Sequence, residues 1–449
     1  MIPQPARNWT GFGGAGTAGA GSPQIVSTRN DPLSQMALYL GLATVFMQFS
    51  VLPQVTTYLL RMPLYLPYLI ALPAVLAMIV SGGLVTAFRA RPAYYWAGFG
   101  CWILLASPFS SWRGGAVAAC VVYWRSSLAM LFIIGGMIHE WRDVRKVMNA
   151  IAISAVVNVL CSRFLQMDFG GRTGVALGSI GNPNDYAGHL LLVLPFLLWV
   201  LMAGKVVSRV VALGCIGAGL YLILASSSRG ALVALAADLV FFALVGNVRQ
   251  KAALVLAGPI AAVLLVATVP ATSLRRLTEI WGGSAGSTES AEAAESSQAR
   301  RYTLMTSIRY TFEHPLFGVG LQQFANFEGG HERRIGTHGY WHETHNSYTQ
   351  ASSECGIPGF LFFTGGIVST LLLLRKTHRQ ARKRPDCKDI RAAAFCIMLG
   401  MVGFSVAITF LNFAYFFYLP AMGGLAVGVW SAAQREFQLR GAAADARGA

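Results

Sequence analysis

AGHLLLVLPFLLWVLMAGKVVSRVVALGCIGAGLYLILASSSRGALVALAADLVFFALVG, residues 187–246, holds three apolar runs separated by only a few polar residues. At a helical rise of about 1.5 Å per residue, roughly 17 to 25 apolar residues cross the hydrocarbon core of a bilayer, and 187–203, 207–225 and 230–246 each meet that length. Outward from this stretch, similar runs recur at 33–52, 64–85, 93–109, 116–138, 144–162, 251–270, 355–374, 392–411 and 413–431. The chain of 449 residues is 55% hydrophobic and 12% charged, with a mean hydropathy of +0.53. That is more apolar surface than one soluble core can hide. The expected fold is all-α: a polytopic transmembrane helical bundle of about twelve spans, with a large, partly helical loop between spans nine and ten.

A net charge of +16 raises the possibility of a nucleic-acid partner. Lys and Arg fall in short bursts between the apolar runs, however, which is how topology signals are placed, so no nucleic acid is expected. Seven cysteines, odd in number and mostly inside apolar segments, read as small buried thiols with no disulfide framework. The first 32 residues carry a Gly-rich tract, Gly11 to Ser22, that has nothing to bury; they read as a disordered tail.

Positive charge sets the orientation, because Lys and Arg are retained on the cytoplasmic side during insertion. With a cytoplasmic N-terminus, the inside connections and tails hold 22 of the 35 basic residues, including the run from Arg375 to Arg391. Apart from Arg229 at a span boundary, the short outside loops hold only Arg61, Arg113, Arg163 and Arg172. The expected organisation is therefore a cytoplasmic tail over 1–32, nine spans over 33–270, an outside loop over 271–354, three spans over 355–431 and a second cytoplasmic tail over 432–449. Within the outside loop, Trp281 to Ala299 reads as flexible or weakly helical, and Arg300 to Tyr310 as an amphipathic helix ended by His314-Pro315. A loop of this size usually exists for function.

Four polar constellations stand out in so apolar a chain. THGYWHETHNSYTQASSECGIPG, from Thr337 to Gly359, contains three of the eight histidines. The metalloprotease pattern needs His-Glu-x-x-His on one helical face, and His342-Glu343-Thr344-His345 is one residue short, so no metal is expected. One imidazole acting as a general base fits better, and His345 is best placed because Asn346 and Ser347 follow it at the entry to a span. Arg229, in Ser226-Ser227-Ser228-Arg229-Gly230, lies at an outer membrane boundary where a new helix opens, which suits a phosphate; its simpler reading is a snorkelling anchor. Arg125 is nearer mid-membrane, where a guanidinium needs a partner. Arg300 and Arg301 open the loop helix; with Arg229, one of them would clamp a pyrophosphate, although paired loop arginines are commonly a solvated face. GSIGNPNDYAGHL, from Gly178 to Leu190, holds Asn184 in a turn before a span, and helix capping alone accounts for it.

Taken together, GNPNDYAGHL, SSSRGALVAL, RRYTLMTSIRYTFEHPLFGVG and THNSYTQASSECGIPGFLFF occur in an order that resembles the O-antigen ligase and polymerase family of bacterial inner-membrane glycosyltransferases. The resemblance covers about Gly178 to Phe363. It implies transfer of a glycan from an undecaprenyl-diphosphate carrier to a lipid or glycan acceptor, on the periplasmic side of the inner membrane, without metal or cofactor. It also implies roles: His345 as the catalytic base, with Arg229 and Arg300 on the diphosphate. His338, His342, Glu343, Asn346, Asn184 and Arg125 are possible supporting residues. The family often has a tryptophan four residues after its loop arginine, where this chain has Leu304, so Arg301 stays a near alternative. Acceptor class separates three related readings: lipid A core for a ligase, a carrier-linked glycan for a polymerase, a hydroxyl of protein for a protein O-oligosaccharyltransferase. A lipid-linked glycan flippase would instead concentrate polar residues in broken helices at the midplane. A membrane metalloprotein would need the histidines to converge on one ion.

Overall fold

A computed structural model describes residues 32–62, 66–165, 167–168, 173–174, 180–271, 273–274, 288–334 and 342–448. The expected N-terminal tail lies almost wholly outside these residues. The helices, in chain order, are α1 (Pro32–Phe49), α2 (Leu52–Leu60), α3 (Leu66–Val80), α4 (Gly83–Ala87), α5 (Arg91–Ala106), α6 (Arg113–Val122), α7 (Ala129–Met137) and α8 (Trp141–Leu165). There follow α9 (Pro183–Ala203), α10 (Val206–Ala225), α11 (Arg229–Val245), α12 (Val248–Thr268), α13 (Thr288–Glu313), α14 (Phe324–Arg334), α15 (Ser347–Arg382), α16 (Lys388–Ala407) and α17 (Tyr418–Gly448). One short antiparallel pair, Met167–Asp168 with Thr173–Gly174, departs from the helical pattern among the described residues.

The twelve expected runs fall largely on helices, but among the described residues only seven helices are long and apolar enough to cross a membrane, or eight if α1 and α2 form one bent span. The shortfall has local causes. α5 has 16 residues and runs into a 3-10 turn at Ser107-Pro108-Phe109; α11 has 17 and stops at Gly246. The 69° bend between α1 and α2 exposes backbone groups that one side chain from α8 satisfies: Asn158 Oδ1 accepts from Val51 N (2.7 Å) and Asn158 Nδ2 donates to Phe49 O (2.8 Å). Such satisfaction is what permits a broken helix away from water.

α13 starts at Thr288, inside the stretch expected to be flexible or weakly helical, and it ends at Glu313, immediately before His314-Pro315 as proline sterics require. α17 continues past 431 through most of the expected C-terminal tail. The main core is an apolar cluster running through α1, α5, α7, α8, α9 and α15 to α17, with a small second cluster at Tyr310, Val319 and Phe324. α15 packs against α5, α13, α16 and α17, and α9 against α8, α10 and α16. α12 buries none of its residues.

Candidate active site

Three tight turns at one end of the bundle carry the polar motifs. Between α10 and α11 the chain reverses in three serines. Ser226 Oγ donates to Ile223 O (2.6 Å) and accepts from Ser228 N (3.3 Å), Ser227 takes a left-handed φ of 52°, and Ser228 Oγ caps α11 by accepting from Ala231 N (3.3 Å). Two of the three hydroxyls are thus used locally, and the turn places Arg229, exposed, at the first position of α11. Gly230 lies flat beneath Phe410; a Cβ there would come within 2.8 Å of the ring.

The second turn is His345-Asn346-Ser347. His345 has φ 48°, a conformation that costs a non-glycine residue of order 1–3 kcal/mol unless its surroundings impose it. They do so on the C-terminal side. Asn346 Oδ1 caps α15 by accepting from Tyr348 N (2.9 Å) and Thr349 N (3.1 Å). Ser347 N donates to Ile408 O (2.9 Å), its hydroxyl donates to Leu411 O (2.7 Å), and that hydroxyl accepts from Phe413 N (2.7 Å). Both turns therefore rest on the same connection, residues 408–417 between α16 and α17. That shared support brings Arg229 to the neighbourhood of His345.

The third turn opens α9. Asn182 Oδ1 accepts from Asn184 N (2.9 Å) and Asp185 N (3.1 Å), while Asp185 Oδ2 accepts from Gly181 N (3.0 Å) and Asn182 Nδ2 (3.0 Å). Asn184 thus contributes its backbone to a cap. Asp185 is buried, and it faces Arg300 from α13.

Arg300 is the hub. It is half-buried and interacts electrostatically with Arg229, Asp185 and His345. Burial and the nearby Arg229 cation lower its pKa, and the Asp185 carboxylate opposes them. Neither the Arg229 nor the Arg300 guanidinium closes an ion pair or hydrogen bond among the described residues, so the site carries positive charge that a bound anion would answer. Arg301 is exposed, about 100° further around the helix. Thr303 Oγ1 bonds Arg300 O (3.1 Å) and Thr344 O (3.4 Å), tying α13 to the residue before His345. Burial, then Arg300 and then His342, push the His345 imidazole down to about 4, so it is neutral at pH 7.

Of the remaining sequence-based candidates, His342 and Glu343 are exposed at the rim, facing His345 and Asp185 respectively. His338 lies outside the described residues. Arg125 sits on a π-helical turn, Tyr123–Leu128, exposed and 4.7 Å from the centre of the Tyr68 ring; no described contact joins it to the other candidates. Among the described residues no three His, Cys, Asp or Glu side chains converge as a metal site requires. Asp185 was missed in sequence because NPND reads fully as capping. Nothing in the string shows that its carboxylate meets an arginine more than a hundred residues later.

Two further motifs lock the site's walls. The turn His314–Gly320 clasps the start of α15: Val319 N donates to Ser353 O (2.8 Å), Gly320 N to Glu354 O (3.0 Å) and Ile357 N to Pro315 O (2.8 Å). The buried Glu354 carboxylate returns the grip, accepting from Gln322 N (2.9 Å) and Phe324 N (3.2 Å). The ring of Phe317 stacks on Phe109 and Trp102.

The O-antigen ligase family model matches residues 213–364, a segment that contains Arg229, Arg300, His345 and both halves of the clasp. No curated protein matches the chain. The several apolar helices and this match are those of a multi-pass membrane protein of glycosyltransferase type. The segment that carries these polar turns is thus similar to the O-antigen ligase family over about a third of the chain.

Proposed function

We propose that the chain is a metal-independent, inverting glycosyltransferase that moves an oligosaccharide or polysaccharide from undecaprenyl diphosphate to a sugar hydroxyl of lipid A core. The observation that carries this reading is a neutral, partly buried imidazole beside the Arg300 guanidinium, which in turn neighbours Arg229, with neither guanidinium closing an ion pair among the described residues. In the reaction the acceptor hydroxyl loses its proton to His345 as its oxygen bonds the anomeric carbon. The bond from that carbon to the diphosphate breaks, and its electron pair leaves on the diphosphate, where Arg229 and Arg300 offset the growing charge. Attack opposite the leaving group inverts the anomeric centre. The site then faces the periplasm of the inner membrane, with both termini in the cytoplasm.

Such a site has a self-adjusting base. With pKa about 4, free His345 is a weak acceptor, because general bases work best with a pKa near the operating pH. A bound diphosphate cancels the positive potential of Arg300 that helps hold this pKa down. His345 therefore becomes more basic when the donor is in place.

His345→Ala is expected to reduce transfer by roughly 10²- to 10⁴-fold while leaving the protein at its normal level in membranes. The assay is glycan transfer by the purified protein from an undecaprenyl-diphosphate donor to lipid A core, and near-normal product would end the assignment. Loss of capped lipopolysaccharide in a deletion strain supports the ligase reading. Loss of polymer length points to a polymerase, and loss of glycoprotein to a protein O-oligosaccharyltransferase.

A further inference from the structure

At the end of the bundle opposite His345 lies a cavity of about 1400 Å³, walled by α8, α9, α10, the start of α12, α15 and α16. Its lining contains six permanent cations, Arg145, Lys205, Lys251, Arg382, Lys388 and Arg391, against one carboxylate, Asp389. That carboxylate is already engaged: it accepts from Arg145 Nη2 (2.9 Å) and Trp141 Nε1 (2.6 Å) and pairs with Arg440 (3.4 Å). None of the other five cations closes an ion pair among the described residues. Like charges crowded round a cavity repel one another, so the arrangement favours an anion between them.

The cavity is graded. Its cations stand at helix ends, and one or two turns further along the same helices the lining becomes apolar: Ile153 on α8, Val207 and Val211 on α10, and Phe395 on α16, with Leu244 at the end of α11. Ile153, Val207, Val211 and Leu244 are substantially exposed. α12, which supplies one edge, buries no residue, so the wall is open to the surrounding acyl chains. A soluble anion would meet the charges and leave this apolar depth unfilled. An amphiphile fills both.

We propose that this cavity binds an anionic phospholipid, with its phosphate among Lys205, Lys251, Lys388 and Arg391 and one acyl chain along Ile153, Val207 and Val211. The protein purified in neutral detergent, titrated with phosphatidylglycerol or with phosphatidylcholine of the same chains and read by native mass spectrometry, tests it. Phosphatidylglycerol is expected to bind the more tightly. Lys388→Gln and Arg391→Gln should each weaken it about 5-fold while leaving phosphatidylcholine unchanged. Val207→Trp, which fills the apolar part and keeps every charge, should weaken phosphatidylglycerol as well. The site is overturned if the doubly neutralised protein, with an unchanged thermal midpoint, binds phosphatidylglycerol as the wild type does, or if Val207→Trp has no effect. It is equally overturned if glycerol phosphate displaces the lipid at matching concentration, which would mark a site for soluble anions. Should the doubly neutralised protein fail to fold, Val207→Trp and the glycerol phosphate competition decide the matter.

Discussion

His345 shows how one residue's surroundings set its chemistry. Its folded-state pKa lies below the ordinary value because burial and the Arg300 cation both disfavour the imidazolium. The neutral form therefore persists from neutral pH down to about 4, and in the proposed mechanism protonation below that removes the base. The acid limb of kcat/KM, which reports free enzyme, is expected near that pH, and the acid limb of kcat, which reports the donor complex, at higher pH. Arg300→Gln removes a neighbouring cation, so the free-enzyme limb should move upward while kcat/KM at neutral pH falls by about 10²-fold. Coincident limbs, or a limb unmoved by Arg300→Gln, would separate His345 from the arginine. The sequence marks His345 by its setting, an imidazole followed by Asn-Ser at a helix start. It leaves Arg300 and Arg301 open, because adjacent positions differ only by which side of α13 they occupy. Folding separates them: one is half-buried toward Asp185 and Arg229, and the other is exposed.

At the scale of elements, the clasp between His314–Gly320 and the start of α15 aligns the loop helix with His345. Three glycines make the contact possible. Gly318 and Gly356 have φ of 69° and 72°, and a Cβ on them would come 2.3 Å from Glu354 C and 2.1 Å from Leu316 O; Gly320 has φ 115° and abuts Ser110. Gly318→Ala and Gly356→Ala combine a left-handed backbone with backbone overlap, and each should cost more than about 2 kcal/mol. Gly214→Ala on α10, where a Cβ meets nothing within 4 Å, should be neutral or slightly stabilising. Thermal unfolding in detergent distinguishes the two classes, and equal midpoints for all three variants would remove the clasp's structural role. Ser347→Ala is expected to cost about 1–3 kcal/mol, since it strands Phe413 N in a buried turn. The helix stop before His314-Pro315 was legible because proline acts on its immediate neighbour. The pairing of ECGIPG with HPLFGVG was not, since nothing local in either string names its partner.

The whole molecule divides its charge between its two ends. One end holds the turns around His345; the other gathers Lys205, Lys251, Lys388 and Arg391 round a cavity. α9, α10 and α11 follow one another through short connections and alternate between these ends, which is why Lys205 and Arg229 lie at opposite ones. The asymmetry of basic residues legible in the sequence therefore becomes an asymmetry of the fold, and it predicts orientation independently of any catalytic reading. The number of membrane crossings was less legible, because an apolar run shows burial from water without showing whether lipid or protein covers it. In a cysteine-free background, His331→Cys on α14 and Arg384→Cys between α15 and α16 report the two ends. A membrane-impermeant maleimide is expected to label His331→Cys in cells with a permeable outer membrane and an intact inner one, and Arg384→Cys only after the inner membrane is opened. Labelling in the reverse order would invert the topology and place His345 in the cytoplasm, where the proposed transfer from a periplasmic lipid-linked donor has no substrate.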